Sequence, residues 1–427
     1  MAEPAAGAQT RKTPAPGLVL TMLLLVYTFN FLDRQILGIL AQPIKADLGL
    51  TDAEFGALGG LAFAILYSVL GVPLALLADR TRRSWVIAGA LAFWSGFTAL
   101  CGVATSFWQM FIFRLGVGTG EAGGVAPSYA LIADYFPPEK RARALAIYSL
   151  GIPVGLAGGT LLGAYIATMV NWRAAFIAMG IAGMVLAPIF LLVVKDKPRP
   201  EGATQAARAP LGAVFPLLAR KPSFWLMAIA SGFSSLCGYG LALWTPAVLM
   251  RSFGLDLVTT GQFLASLLVI GGTTGMFLGG WLADRLGQVD RRWYARIPAI
   301  AWLITAPTFA IALIAPIPMA IMWVILLVPN ALNTLWLGPV TNSVQHLVPA
   351  PMRATASGSF LMINNLIGLG IGPMLMGFLS DQFTAAYGTE ALRYAATACL
   401  SFYVIAGLMM LLAARSLRAD WIEEGAH

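Results

Sequence analysis

Four ionisable side chains stand where an apolar chain has least room for them. Asp33 and Arg34 lie side by side in "NFLDRQILG" (30–38), and Arg114 and Glu121 lie in "FRLGVGTGE" (113–121), each stretch within a long apolar run. A charge at the centre of a bilayer costs at least ~2.5–3.5 kcal/mol on insertion scales, so such groups are functional by default. Two acids and two guanidinium groups sum to zero charge, and pairing can offset the cost of burial. Burial favours a neutral acid, whereas a neighbouring guanidinium favours the carboxylate, so an acid held between the two can titrate. Protonating Glu121 would release Arg34, whose planar fork suits a phosphate or carboxylate head group. A proton and an anion can thus compete for one guanidinium. The plainer reading is two structural ion pairs that clamp one helix to another, although apolar replacements of such pairs often do as well.

The elements that must position these groups are helices in lipid. The chain has 427 residues, 59% hydrophobic and only 11% charged, and its mean hydropathy is +0.78. Soluble domains are about a quarter charged. Apolar runs fall at 18–41, 54–77, 85–105, 108–132, 143–168 and 173–194, and again at 223–250, 259–282, 297–315, 319–344, 355–380 and 391–414. An all-α membrane protein follows, with twelve spanning helices in two sets of six. The segments are a disordered tail (1–17), a first bundle (18–194), a Pro/Ala/charge-rich linker (195–221), a second bundle (222–414) and a final tail (415–427). The first apolar run is too long for a cleaved signal peptide and reads as a retained helix.

Basic residues set the direction. With a cytoplasmic N-terminus, all but six of the 27 Lys and Arg fall on the cytoplasmic side; Lys45, Arg173, Arg251 and Arg393 fall opposite, and Arg34 and Arg114 lie within helices. The net charge of +8 is then topological bias and not a nucleic-acid surface. Both termini are expected in the cytoplasm. The first helix runs outward and the fourth inward, which brings Arg114 level with Asp33 and Arg34 and leaves Glu121 nearer the middle. Arg114 and Glu121 are about two turns apart, ~10 Å, on nearly one face. An Asp33–Arg114 pair and an Arg34–Glu121 approach are both expected.

The two halves repeat each other. "ADRTRRSW" (78–85) matches "ADRLGQVDRRW" (283–293), and "PPEKRARA" (137–144) matches "APMRATA" (350–356). The Asp-Arg loops after helices 2 and 8 resemble the signature loop of the major facilitator superfamily. Gly280 stands four residues before Asp284 as in that pattern, whereas Ala75 replaces the glycine in the first half. "GIPVGLAGGTLLG" (151–163) is similar to the superfamily's fifth-helix motif. The resemblance implies the major facilitator fold, two pseudo-symmetric bundles, and a cytoplasmic gate in which Asp79, Arg80, Asp284 and Arg285 act with Arg141 and Arg353. "NFLDRQILG", "FRLGVGTGEAGGVAPS" and "SLGIPVG" together resemble the Spinster branch, whose members move lysophospholipids or sphingoid lipids. The anion:cation symporter branch shares the helix 1 and helix 4 charges, which leaves proton-coupled symport of small organic anions as the alternative.

The second half carries no charge deep in its helices, only polar groups such as Ser231, Ser234, Tyr239, Trp244, Asn330, Asn333, Asn364 and Asn365. One polar and one greasy half suit an amphiphile, though Asn and Ser also simply link membrane helices. Glu121 and Asp33 are therefore the candidate proton carriers, and Arg34, Arg114, Tyr239 and Asn333 the candidate substrate contacts. A proton-coupled transporter of an amphiphilic anion by alternating access is expected, in a bacterial plasma membrane, as a monomer, with no cofactor. No Gly-Lys-Ser/Thr phosphate loop is present. Cys101, Cys237 and Cys399 form no disulfide framework, His346 and His427 no metal cluster, and an enzyme reading lacks a nucleophile–base set.

Overall fold

The computed structural model describes residues 14–197 and 211–422. Most of the tail expected at 1–17, the middle of the 195–221 linker, and the last residues of the 415–427 tail with His427 lie outside the described residues.

Within them the chain is helical throughout and crosses twelve times. In the first half the crossings are Pro16–Ile39; Asp52–Gly59 continued by Leu61–Arg80; Arg83–Cys101; Phe107–Glu121 with Val125–Tyr135; Pro138–Ser149 with Gly151–Met169; and Trp172–Val193. In the second half they are Pro222–Phe253; Leu257–Gly287; Trp293–Ile314; Met319–Thr334 with Leu337–Gln345; Arg353–Asn365 running through a π turn, Leu366–Ile371, into Gly372–Tyr387; and Ala391–Cys399 with Ser401–Asp420. The end where the first crossing starts and the last one finishes is called the near end below, and the opposite one the far end.

Local chemistry sets the helix limits. At the far end Thr51 and Glu54 close a reciprocal capping box. Asn171 accepts from the Ala174 N–H, and Asp256 accepts from the N–H groups of Val258 and Thr259. These caps satisfy orphan donors where the chain turns back. Gly49 and Gly254 end their helices in the left-handed conformation, with φ of 65° and 68°. The structure departs from the uninterrupted apolar runs and the plain linker at several points, of which three bear on the site and the ends of the bundles. The fourth crossing breaks over 122–124 in a glycine-containing turn, where the Gly123 and Gly124 N–H groups bond Gly120 and Glu121 carbonyls. The linker contains a helix, Leu211–Ala219. The last helix continues six residues past 414 to Asp420, whose carboxylate caps the seventh crossing through the Ser223 N–H and hydroxyl.

The halves are packed tightly toward the far end. The start of the second crossing lies so close to the eleventh that a Cβ on Gly56 would overlap the Pro373 carbonyl, and one on Gly377 the Asp52 carbonyl. The Trp244 indole donates to Pro373 O at 2.8 Å, and Gln35 reaches Ala242 O at 3.5 Å. The fifth crossing meets the eighth at Gly261, where a Cβ would come within 3.0 Å of the Ala164 methyl. Apolar side chains such as Leu192, 75% exposed, and Val185, 54%, clothe the outer surface, as lipid contact requires.

Candidate functional site

The first and fourth crossings meet through their charges. Arg34 Nε donates to Glu121 Oε2 at 2.7 Å; Glu121 is wholly buried and Arg34 keeps 14% of its side chain exposed. The break after Glu121 places this carboxylate at the last residue of a helical segment, deep in the first half. Glycines let the neighbours approach: a Cβ on Gly120 would sit 2.7 Å from the Trp94 backbone nitrogen.

Three aromatic rings surround the Arg34 guanidinium. Its Cζ lies 5.1 Å from the Phe31 ring centroid, 4.6 Å from Phe63 and 4.8 Å from Tyr67. Such contacts contribute about 0.5–2 kcal/mol each, more when desolvated. Tyr239 of the seventh crossing faces the same guanidinium from the other half. The fork is thus held by stacking and by one acid, and part of it stays accessible.

The expected partner of Asp33 does not arrive. No ion pair joins Asp33 to Arg114. Arg114, 2% exposed, turns its Nε to the Leu58 carbonyl at 3.4 Å and lies 5.4 Å from the Phe63 ring. The second crossing thus supplies the contact that the sequence reading assigned to Asp33, because a backbone carbonyl and an aromatic face come within reach first. Asp33 is fully buried beside Trp94 and Thr98 of the third crossing.

In the second half the polar groups are mostly engaged within their own bundle. Asn333 accepts from the Tyr403 hydroxyl at 2.8 Å and backs onto Gly238. Ser235 donates to Asn364 at 2.8 Å, and Asn330 to the Leu326 carbonyl at 2.8 Å. Ser231 and Ser234 are buried.

The model of the Major Facilitator Superfamily matches residues 23–370 of this sequence. The chain belongs to that superfamily. It is a membrane transporter by that membership and not an enzyme. This facilitator is 36% identical over 404 residues to an MFS-type efflux pump of Mycolicibacterium smegmatis, covering 94% of each chain. It is 26% identical to human protein spinster homolog 1, over 95% of this chain and 82% of that one. Its fold superposes with a TM-score of 0.86 and 29% identity on a bacterial homolog of the human lysosomal transporter Spinster in an inward-facing, unoccupied conformation, covering 96% and 99% of the two chains. The resemblance to the Spinster branch read from the helix 1, 4 and 5 motifs therefore stands.

The residues expected to gate the facilitator's near end sit at helix ends: Asp79 and Arg80 close the second crossing, Asp284 and Arg285 lie in the last turn of the eighth, and Arg141 and Arg353 lie in the first turns of the fifth and eleventh. Arg83 pairs with Asp134 and comes within 3.9 Å of Asp79, and Arg141 donates to the Ala133 carbonyl at 3.0 Å, all inside the first half. Arg80, Asp284 and Arg285 are exposed, and Arg285 lies 5.4 Å from the Trp281 ring. Arg353 opens the eleventh crossing and is half-buried.

A second polar cluster, at the far end, escaped the sequence reading. Asp52 of the first half accepts from both Arg251 nitrogens, at 2.8 and 2.7 Å, from Ser380 at 2.7 Å, and from Lys45. Asp381 accepts the Asp52 and Ala53 N–H groups at 3.0 and 2.7 Å, capping the second crossing from across the halves. Burial pushes the Lys45 ammonium below the usual lysine range, and its bond to Asp52 works against that. Arg251 was one of four basic residues on the sparsely charged side, which was the available signal.

Proposed function

We propose that this facilitator is a proton-coupled transporter of an amphiphilic anion, a lysophospholipid or sphingoid lipid, by alternating access. In this reading both termini face the cytoplasm across a bacterial plasma membrane, and the protein works as a monomer. The observation that carries it is the Arg34 guanidinium, caged by Phe31, Phe63 and Tyr67, bound to buried Glu121 and still partly exposed.

That arrangement leaves Arg34 one exchangeable partner. A carboxylate on Glu121 occupies the fork; a proton on Glu121 removes the charge that holds it, and an anionic head group takes the place. Tyr67 and Tyr239 offer hydroxyl donors beside it, one from each half, so a bound head group bridges the bundles. The second half, with Asn333 and hydroxyl groups amid apolar side chains, accommodates the acyl tail. Such a ligand binds the two conformations unequally, as any shift of the equilibrium demands. The far-end contacts hold the outer side shut in this state, and at the near-end helix termini Asp79, Arg80, Arg141, Asp284, Arg285 and Arg353 form the opposing gate.

Reconstitution in phosphatidylethanolamine–phosphatidylglycerol liposomes tests the reading. Fluorescent lysophosphatidylglycerol should move faster under an imposed proton gradient, and Arg34→Ala should abolish that movement. Movement of gluconate in place of the lysolipid would instead identify a small-acid symporter. Lysolipid movement indifferent to the gradient would reject proton coupling.

A further inference from the structure

On the outer surface of the first half, the third and sixth crossings meet along a seam that opens into a groove. The seam itself is tight: a Cβ on Gly102 would lie 2.6 Å from the Arg173 carbonyl, and one on Gly180 2.5 Å from the Ala99 nitrogen. Beside it the crossings part, and the nearest atom to a Cβ on Gly96 would be Met184 Sδ, at 3.8 Å. The space left is about 570 Å³, lined by Ala92, Gly96 and Val103 on one side and Ile177, Ile181 and Met184 on the other. That is the size of a ligand site, which spans roughly 300–1,000 Å³. From Val103 down to Ala92 the groove follows the helix for ~16 Å, at 1.5 Å per residue. One leaflet of a bilayer is about as deep, half of ~30 Å.

A polar pair closes the groove at the far end. Arg173 stands on the same face of the sixth crossing as Ile177, Ile181 and Met184, at helical spacing. Its guanidinium donates to the Ala104 carbonyl and to Asp47 Oδ2, each at 2.6 Å, and lies 4.2 Å from the Trp172 ring. The Trp172 indole also donates to Asp47 Oδ2, at 3.2 Å. Asp47 belongs to a short far-end helix, Ala41–Leu48. Both of its bonds fall on Oδ2, so Oδ1 has no hydrogen-bond partner among the described residues, and the side chain is 45% exposed. Arg173 is 31% exposed and uses two of its five N–H donors. Open donors and an open carboxylate oxygen thus lie side by side next to Trp172, a residue type that favours the head-group level.

We propose that the groove seats one acyl chain of a phosphatidylethanolamine from the far-end leaflet, with its phosphate on Arg173 and its ammonium on Asp47 Oδ1. The adjacent opposite charges match a zwitterionic head group, whereas a purely anionic one meets the Asp47 carboxylate. A primary ammonium brings N–H donors to that carboxylate, and a choline brings none. The groove runs one leaflet deep from the pair, which is the reach of a single chain. The site lies on the outside of the bundle, apart from the Arg34–Glu121 exchange, and does not depend on it.

The full-length protein, solubilised in mild detergent and stripped of lipid, is titrated with phosphatidylethanolamine, phosphatidylcholine and phosphatidylglycerol, and bound lipids are counted by native mass spectrometry. One phosphatidylethanolamine should be retained ahead of the other two. Gly96→Leu fills the groove and should weaken that retention ~10-fold. Gly89→Leu lies on the same helix beyond the groove, with open space about it, and should leave retention unchanged. Arg173→Met and Asp47→Asn should each weaken it ~10-fold, the worth of one charge-assisted hydrogen bond. Preference for phosphatidylglycerol would overturn the zwitterionic assignment. Equal retention of the three lipids, or native retention in Gly96→Leu, would overturn the site. A dimer mass in place of the lipid adduct would do the same, by showing that a second copy covers the groove. Should Arg173→Met or Asp47→Asn not fold, the Gly96→Leu and Gly89→Leu pair decides.

Discussion

Asp52 and Arg251 form a two-pronged ion pair, at 2.8 and 2.7 Å, across 199 residues of sequence and between the two halves of the molecule. Arg251 donates both terminal nitrogens, the geometry that makes Arg–carboxylate pairs strong. Ser380 and Lys45 complete the Asp52 shell. The pair ties the first half to the second at the far end, so in the alternating-access reading proposed above it stabilises the state closed at that end.

Removing it should shift that balance. Asp52→Asn keeps the shape but weakens every bond to the carboxylate, a loss of about 2 kcal/mol for a hydrogen-bonded, mostly buried pair. The population open at the far end should then rise ~30-fold relative to the closed one. Labelling of a cysteine introduced at a far-end position would read the change, and Arg251→Met should give the same direction. Equal labelling rates in native and variant proteins would show that the pair contributes nothing to closure.

Glycine packing makes an independent prediction for the same end. A side chain at Gly377 collides with the Asp52 carbonyl and one at Gly56 with Pro373. Gly377→Val should therefore prevent far-end closure while leaving each bundle folded. Far-end cysteine labelling should become fast and transport should cease. A variant that still transports would mean that the backbone can shift to accept the extra atoms.

At Arg34 the shape of the cation matters beyond its charge. Arg34→Lys keeps the positive charge but loses the planar fork and most of its stacking on Phe31, Phe63 and Tyr67. Affinity for lysophosphatidylglycerol should fall at least ~10-fold, equivalent to about 1.4 kcal/mol. Equilibrium binding measured by fluorescence anisotropy checks it, and unchanged affinity would place the anion elsewhere.

Glu121→Gln tests the exchange directly. The amide cannot be ionised and leaves Arg34 without its anionic partner, so anion binding should become independent of pH over the range where the native protein responds. A native-like pH profile in Glu121→Gln would remove Glu121 from the coupling step.

Asn333 offers a milder case. It accepts from Tyr403 at 2.8 Å and is half-buried, so Asn333→Ala should cost about 1 kcal/mol of stability, read as a lower unfolding temperature. If Asn333 also touches substrate, affinity should drop as well. Restoration of stability without restoration of affinity by a Tyr403→Phe partner change would separate the two roles.

Much of the architecture was legible in residue order. Twelve apolar runs, the repeated Asp-Arg loops and the Lys/Arg asymmetry follow from composition along the chain, because a helix in lipid must satisfy its own backbone and show its burial in its sequence. The Arg34–Glu121 pair was legible too, since both groups are costly in lipid, opposite in sign and carried by antiparallel neighbours. The Asp33–Arg114 pair was equally reasonable on that ground and did not form. What defeated it was the Leu58 carbonyl and the Phe63 ring, groups that no charge pattern announces.

The residue order by itself determined which side chains must be buried or paired, and in which of the two bundles they lie. Tertiary structure alone decided the partners: the aromatic cage from the first two crossings, the Leu58 carbonyl that takes Arg114, and the far-end cluster that joins Asp52 to Arg251 and Ser380. The reason is physical. Burial cost is a property of one residue in its own helix, whereas a hydrogen bond or a stacked ring depends on the rotation and closeness of helices far apart in the chain. Glycines set that closeness, and their effect appears only when the neighbouring backbone is in place.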